Sequence, residues 1–199
     1  MKKIIFIGSL LLVFSCAEDK KYDIHTNMLM EKMHSMSAGM KQMQMTMDPD
    51  HDFAMMMKMH HMGAIDMAGS ELWNGNDQTI KEMAQMMKDA QQMEIAELDS
   101  FLNVHAAVPD NEHGMEFINA SDAAMSEMDA SADAQKLNGD YDHDFAHLMI
   151  PHHQGATEMA QAGLEHGKIQ MLKDMAQKMI DDQQKEIADL QNWLNSSND

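Results

Sequence analysis

The chain has 199 residues, of which 27 are methionine and one is cysteine, and its formal net charge is −19 at pH 7. This length allows one sizeable core or two small units. The negative charge argues against nucleic acid as a partner, and a single cysteine excludes a disulfide framework or a thiolate metal site.

Residues 1–15 form a leader in which Lys2 and Lys3 precede an apolar run that is too short to span a bilayer as a mature helix. This pattern is typical of a secretory signal. Cys16 follows a small residue, as in bacterial lipoproteins, so we expect lipidation at Cys16; the alternative is a free or dimer-forming cysteine. The sequence therefore predicts a protein of the bacterial cell envelope, facing the periplasm or the exterior. Its lipid anchor would be followed by a tether, 16–22.

Helical periodicity predicts six helices, and no segment shows the alternation of a strand. We expect Asp50 to cap the second helix, because Asp48, Pro49 and Asp50 interrupt the pattern there. Residues 104–114 contain Pro109 and Gly114 and read as a linker between a first half, 23–103, and a second half, 115–199. The helices are expected at about 23–47, 50–73, from the turn after Asn74 to 103, 115–135, 143–164 and 168–195.

The chain is a gapless duplication. Residues 50–72 return 92 positions later as 142–164, and each copy has two adjacent histidines at its centre. Each half would form an antiparallel helical hairpin, and two such hairpins can close a four-helix bundle. The helices at 23–47 and 115–135 are additional flanking helices, and the halves are expected to form one bundle domain.

The core-facing stripe of each repeat combines sulfur and nitrogen. On a helical wheel, Met149, His152 and Met159 share one face with Phe145, and His153 lies at its edge. The first copy repeats this arrangement with Met57, His60, His61 and Met67. If the copies face each other, this donor set would favour Cu(I) or Ag(I) over zinc. The alternative is a pair of hydrogen-bonded core histidines beside ordinary core methionines.

A second candidate site lies on the wetter face of the fifth helix. His143 and His147 are four residues apart, which is a spacing that can chelate a divalent ion such as Cu(II). The alternative is a solvated pair near a helix start, and position 147 is Met55 in the first copy. Polar residues on the seams of the third and sixth helices could orient the buried histidines or could instead specify the bundle; they are Gln91, Glu94, Gln183 and Glu186.

Two stretches of the second half carry a family resemblance: HDFAHLMIPHHQGATEMA and, after a Gly turn, QKMIDDQQKEIADLQNWL. They resemble the ferritin-like family known as domain of unknown function 305. The resemblance covers 143–194, and 51–102 is a more degenerate copy with Met59 in place of Pro151. It implies a ferritin-like, secreted or periplasmic helical bundle, and some members bind copper through His and Met in support of copper resistance. The residues that carry this implication are His51, Met57, His60, His61, Met67, His143, His147, Met149, His152, His153 and Met159.

We therefore expect a lipid-anchored protein that binds copper, as Cu(I) and also Cu(II), or silver, for buffering, tolerance or handover to a copper-transfer protein. The alternatives are a copper-dependent oxidase or reductase and a metal-free helical scaffold. A di-iron enzyme is disfavoured, because only Glu31 and His34 have the Glu-x-x-His spacing and they lie outside the repeated helices. No nucleophile or acid/base pair can be named, so a binding role is favoured over catalysis.

Overall fold

The computed structural model describes residues 24–197, and these form helices with no strand, which confirms the all-α prediction. Within this range, none of the helices has the length and hydropathy needed to cross a bilayer. The predicted signal, Cys16 and the tether lie outside the described residues. The six helices are α1 (Ile24–Lys41), α2 (Pro49–Asn74), α3 (Gln78–Val104), α4 (Asn111–Asp133), α5 (Tyr141–His166) and α6 (Gln170–Ser197).

Helices α2 and α5 pack against each other at the centre of the bundle. Helices α1 and α3 pack on α2, α4 and α6 pack on α5, and α3 and α6 touch only sparsely. Equivalent residues of the two halves meet: the rings of His60 and His152 are in contact, and Ser37 Oγ donates a 2.7 Å hydrogen bond to Asp129. The duplicated halves are therefore related by a pseudo-twofold axis that passes between α2 and α5.

Helix α1 ends at Lys41, six residues before the predicted end at Met47. The chain from residue 42 to 48 turns because Asp52 accepts the backbone N–H groups of Thr46 and Met47, and Met47 has a positive φ of 66°. The second half repeats this turn. Asp144 accepts the N–H groups at 138 and 139, and position 139 is a glycine with φ 88°. The helix pattern could not show this ending, because methionines continue through the turn.

The prediction that Asp50 caps α2 is wrong, since the cap is Asp48, whose side chain accepts the N–H groups of residues 50 and 51. The Asp50 carboxylate instead accepts the N–H groups of Lys168 and Ile169, at 2.9–3.1 Å, just before α6. Its equivalent, Asp142, accepts the N–H groups of residues 76 and 77 just before α3, at 2.9–3.0 Å. Each half thus holds the start of the other half's last helix.

We expect Asp50→Ala to lower the free energy of unfolding by about 1–3 kcal/mol, because two backbone N–H groups would lose their acceptor. The measurement is chemical denaturation followed by circular dichroism. Asp66→Ala, at an exposed position of the same helix, is the control and should change the unfolding midpoint far less. Equal effects of the two substitutions would contradict the proposed link between the halves.

Candidate metal centre

Four histidines lie at the centre of the bundle with no solvent exposure: His60 and His61 on α2, and His152 and His153 on α5. Two adjacent residues of a helix point about 100° apart. Consequently, His60 and His152 face each other across α2 and α5, whereas His61 and His153 face α3 and α6. The ring centroids of His60 and His152 are 3.8 Å apart, with the ring planes tilted by 49°. The structure thus brings the two predicted core histidines together.

In the part of the chain that the structure describes, the ring nitrogens of the buried histidines lack hydrogen bonds of good geometry. Within residues 24–197, no hydrogen-bond partner reaches any of the four ring nitrogens of His60 and His152. Burial, and then the nearby imidazole of His152, hold the pKa of His60 well below its ordinary value of 6.5. Burial, followed by His153, likewise lowers the pKa of His152 far below that value. Both rings are therefore neutral at pH 7, and each has a free lone pair on nitrogen.

The other two histidines each contact a carboxylate. Glu94 Oε2 on α3 lies 2.9 Å from His61 Nε2, and Glu186 Oε2 on α6 lies 2.9 Å from His153 Nε2. His61 and His153, at the edge of the stripe that faces the other half, are covered completely by α3 and α6. Gln91 and Gln183 are also buried, but neither side-chain amide finds a hydrogen-bond partner among the described residues.

The predicted sulfur ligands belong to the same core. Met57, Met67, Met149 and Met159 are at most 1% exposed. At 3.8 Å, however, the two facing rings are in van der Waals contact. A metal ion between them would require at least one ring to rotate, because a metal–nitrogen bond is about 2.0–2.1 Å long. In the described range, no three side chains of His, Cys, Asp or Glu converge to hold a metal, so thioethers would have to complete such a site.

His143 and His147 form a second pair, near the start of α5. Their Nε2 atoms are 3.2 Å apart, and His147 Nδ1 lies 2.9 Å from Gln135 Oε1. Because the amide oxygen only accepts, Nδ1 of His147 carries the proton and its Nε2 carries a lone pair. Two nitrogens 3.2 Å apart fit one ion with an angle of roughly 100° at the metal, for bonds of about 2.05 Å. The geometry therefore suits the predicted divalent site.

His51 is not part of either cluster. It is half-buried, and the nearest described ring is that of His105, with 6.3 Å between the ring centroids. At the positions equivalent to His147 and Gln135, the first half has Met55 and Met43. The paired imidazoles are consequently a property of the second half alone.

A buried carboxyl pair was not predicted from the sequence. Glu71, near the end of α2, is fully buried beside Asp142, and a Cβ at position 75 would collide with both carboxyl groups. Burial, and then the neighbouring Asp142, raise the pKa of Glu71 to about 8. The only sequence signal is a break in the duplication, since the position equivalent to Glu71 is Gly163.

Three comparisons with known proteins bear on this arrangement. A family described as Domain of unknown function (DUF305) matches residues 50–194. A solved structure, the crystal structure of a DUF305 fragment from Deinococcus radiodurans, is 22% identical with a TM-score of 0.54, and the match covers 74% of this chain and 96% of that one. At this identity the likeness concerns the fold alone. Among curated proteins, no significant match is found.

We expect the free energy of unfolding to depend on the Glu71 proton. The folded protein retains this proton up to a pKa of about 8, whereas the unfolded chain releases it near 4.5. The contribution of this proton to the free energy of unfolding is therefore complete below pH 4.5 and is lost as the pH rises towards 8. Glu71→Gln should flatten this part of the pH profile in denaturation experiments, and the exposed Glu82→Gln should not. An unchanged profile in Glu71→Gln would contradict the assignment.

Proposed function

This chain belongs to the DUF305 family, and we propose that it is an extracytoplasmic lipoprotein that binds copper, or silver, to buffer the ion or hand it to a transfer protein. The observation that supports this most is the facing pair His60 and His152, which are fully buried and neutral. Their ring nitrogens find no hydrogen-bond partner within residues 24–197. A buried polar group without a partner costs about 1–3 kcal/mol, and a bound ion would recover that cost.

The surroundings of the pair favour a soft monovalent ion. Thioether sulfur and neutral imidazole suit Cu(I) and Ag(I), whereas zinc usually takes Cys, His or carboxylate ligands. The buried methionines Met57 and Met149 lie one helical turn before His60 and His152 on the same helices. Thioethers also keep their ligand character outside the cytosol, where a thiol would be oxidised. The signal-like leader and Cys16 support an extracytoplasmic location.

Storage and transfer fit the structure better than catalysis at this centre. Because His60 and His152 have no solvent exposure, a substrate would have no direct access to an ion held there. Burial of the two histidines would also shield a bound Cu(I) ion from oxidants. Glu94 and Glu186 contact the adjoining histidines and could fix their orientation, as carboxylates beside metal-binding histidines commonly do.

The central prediction concerns His60 and His152 together. We expect the intact protein to retain Cu(I) after anaerobic equilibration and desalting, and His60→Leu with His152→Leu to retain at least one equivalent less, as measured by elemental analysis. A control with His34→Gln and His113→Gln, two histidines outside the core, should retain the wild-type amount. Circular dichroism and thermal melts check that each variant folds.

Two outcomes would overturn this proposal. A wild-type protein that holds no Cu(I) or Ag(I) under these conditions would remove the metal-binding function. A folded double variant that is more stable and retains the full metal content would show that the facing pair is only a packing contact, as in a metal-free scaffold.

A further prediction concerns the divalent pair. His147→Met introduces the residue that the first half has at the equivalent position, and it should abolish Cu(II) binding at His143 while leaving Cu(I) retention unchanged. Electron paramagnetic resonance of the Cu(II)-loaded protein measures nitrogen ligation at this site. His166→Met, at the far end of the same helix, is the control. Loss of the signal only in the control would contradict the assignment.

A further inference from the structure

A groove opens at the surface between α3 and α6, the two helices that touch only sparsely. Its volume is about 490 Å³, and its lining is almost entirely apolar, with Phe101 and Val104 on one side and Ile169, Met171 and Met175 on the other. Val104 is 85% exposed and Met171 is 50% exposed. The groove is therefore open to solvent at its outer end.

The groove adjoins a smaller cavity that borders Glu94. An adjoining cavity of about 110 Å³ shares Glu97 and Met175 with the groove and is also lined by Met179 and Glu94. Glu94 is the residue whose Oε2 atom lies 2.9 Å from Nε2 of the buried His61. The smaller cavity therefore lies beside a carboxylate that contacts a core imidazole, and we refer to the groove and this cavity together as the passage.

Sulfur atoms line this passage at regular steps. Met171, Met175 and Met179 lie four residues apart on α6, so they share one face of the helix. They change from half-exposed Met171, through partly buried Met175, to Met179 at 2% exposure. Met93, which is 65% exposed on α3, adds a fourth thioether to the smaller cavity. Single thioethers are weak, exchangeable ligands for soft ions, so a ladder of them permits stepwise movement.

We propose that this passage is the route by which Cu(I) or Ag(I) moves between the surface and the core histidines. Met171, Met175 and Met179 would act as successive transient ligands, and Glu94 would receive the ion next to His61. The inference rests on the proposed function, because it requires that the core binds such an ion.

Lys178 lines the smaller cavity beside Glu94 and is exposed to solvent. Its Nζ atom lies 3.5 Å from Glu94 Oε1 and 2.7 Å from Asp182 Oδ2. An ammonium group here repels an incoming cation and competes with it for Glu94. The equivalent position in the first half is Met86, so the duplication itself tolerates a thioether at this position. Lys178 therefore acts as an electrostatic barrier to loading.

The outer part of the passage breaks the duplication. At the positions equivalent to Ile169 and Met171, the first half has Asp77 and Thr79, and the position equivalent to Val104 is Ser196. The inner methionines, in contrast, have equivalents at Met83 and Met87. An apolar, sulfur-lined mouth is consequently not required by the fold, which accepts polar residues at the equivalent positions of the other half.

The test measures the rate and the extent of loading separately. Cu(I) is transferred anaerobically from a coloured chelator to the full mature chain, and the loss of colour gives the rate. We expect the double variant Met171→Leu, Met175→Leu to load several-fold more slowly than wild type but to reach the same final metal content, because leucine keeps the volume and removes the sulfur. Lys178→Met should load several-fold faster.

Met115→Leu is the matched control, because Met115 is 46% exposed on α4, away from the groove, and it should load at the wild-type rate. Wild-type loading rates in the folded groove variant would overturn the route. A reduced final content in that variant would also overturn it, since the methionines would then be storage ligands. If wild type itself takes up no Cu(I), the proposed function fails, and this outcome is distinct from a change of rate alone.

Discussion

The contact between α2 and α5 is the interaction on which the rest of this protein depends. It places His60 against His152 on the pseudo-twofold axis, fully buried and, within residues 24–197, with no hydrogen-bond partner for either ring. Desolvation keeps both imidazoles neutral, because a charged ring at zero exposure would lose its hydration without compensation. The same desolvation leaves the nitrogen lone pairs of both rings available.

The helices that close this core are held by buried carboxylates. Asp50 and Asp142 each accept backbone N–H groups before the last helix of the other half, so the two halves lock each other in place. This arrangement positions α3 and α6 over the outward histidines, His61 and His153, and brings Glu94 and Glu186 to them. The site therefore depends on bonds that lie one or more turns away from it.

The two halves have the same residues at many core positions and differ more often outside the core. The facing histidines, their carboxylate contacts and the turn-closing aspartates occur in both halves. The paired imidazoles at His143 and the mouth of the sulfur-lined groove occur once. Core positions are constrained by packing against their own equivalents, whereas peripheral positions face different neighbours and can diverge.

The sequence alone determined the six helices, the duplication and the presence of His60 and His152 on core-facing stripes, because these follow from periodicity along a single helix. It also offered, as one of two alternatives, that Glu94 and Glu186 on the apolar seams of the third and sixth helices orient the buried histidines. A helical wheel does not contain the position of a third helix. It placed His61 and His153 at the edge of the apolar stripe but could not show that α3 and α6 cover them. Only the tertiary structure decided two other features. One is the pair of hydrogen bonds from the N–H groups of residues 168 and 169 to Asp50, which lies 118 and 119 positions earlier in the chain. The other is the passage between α3 and α6. Such features depend on how closely separate helices approach each other, and the periodicity of one helix does not determine its distance from another.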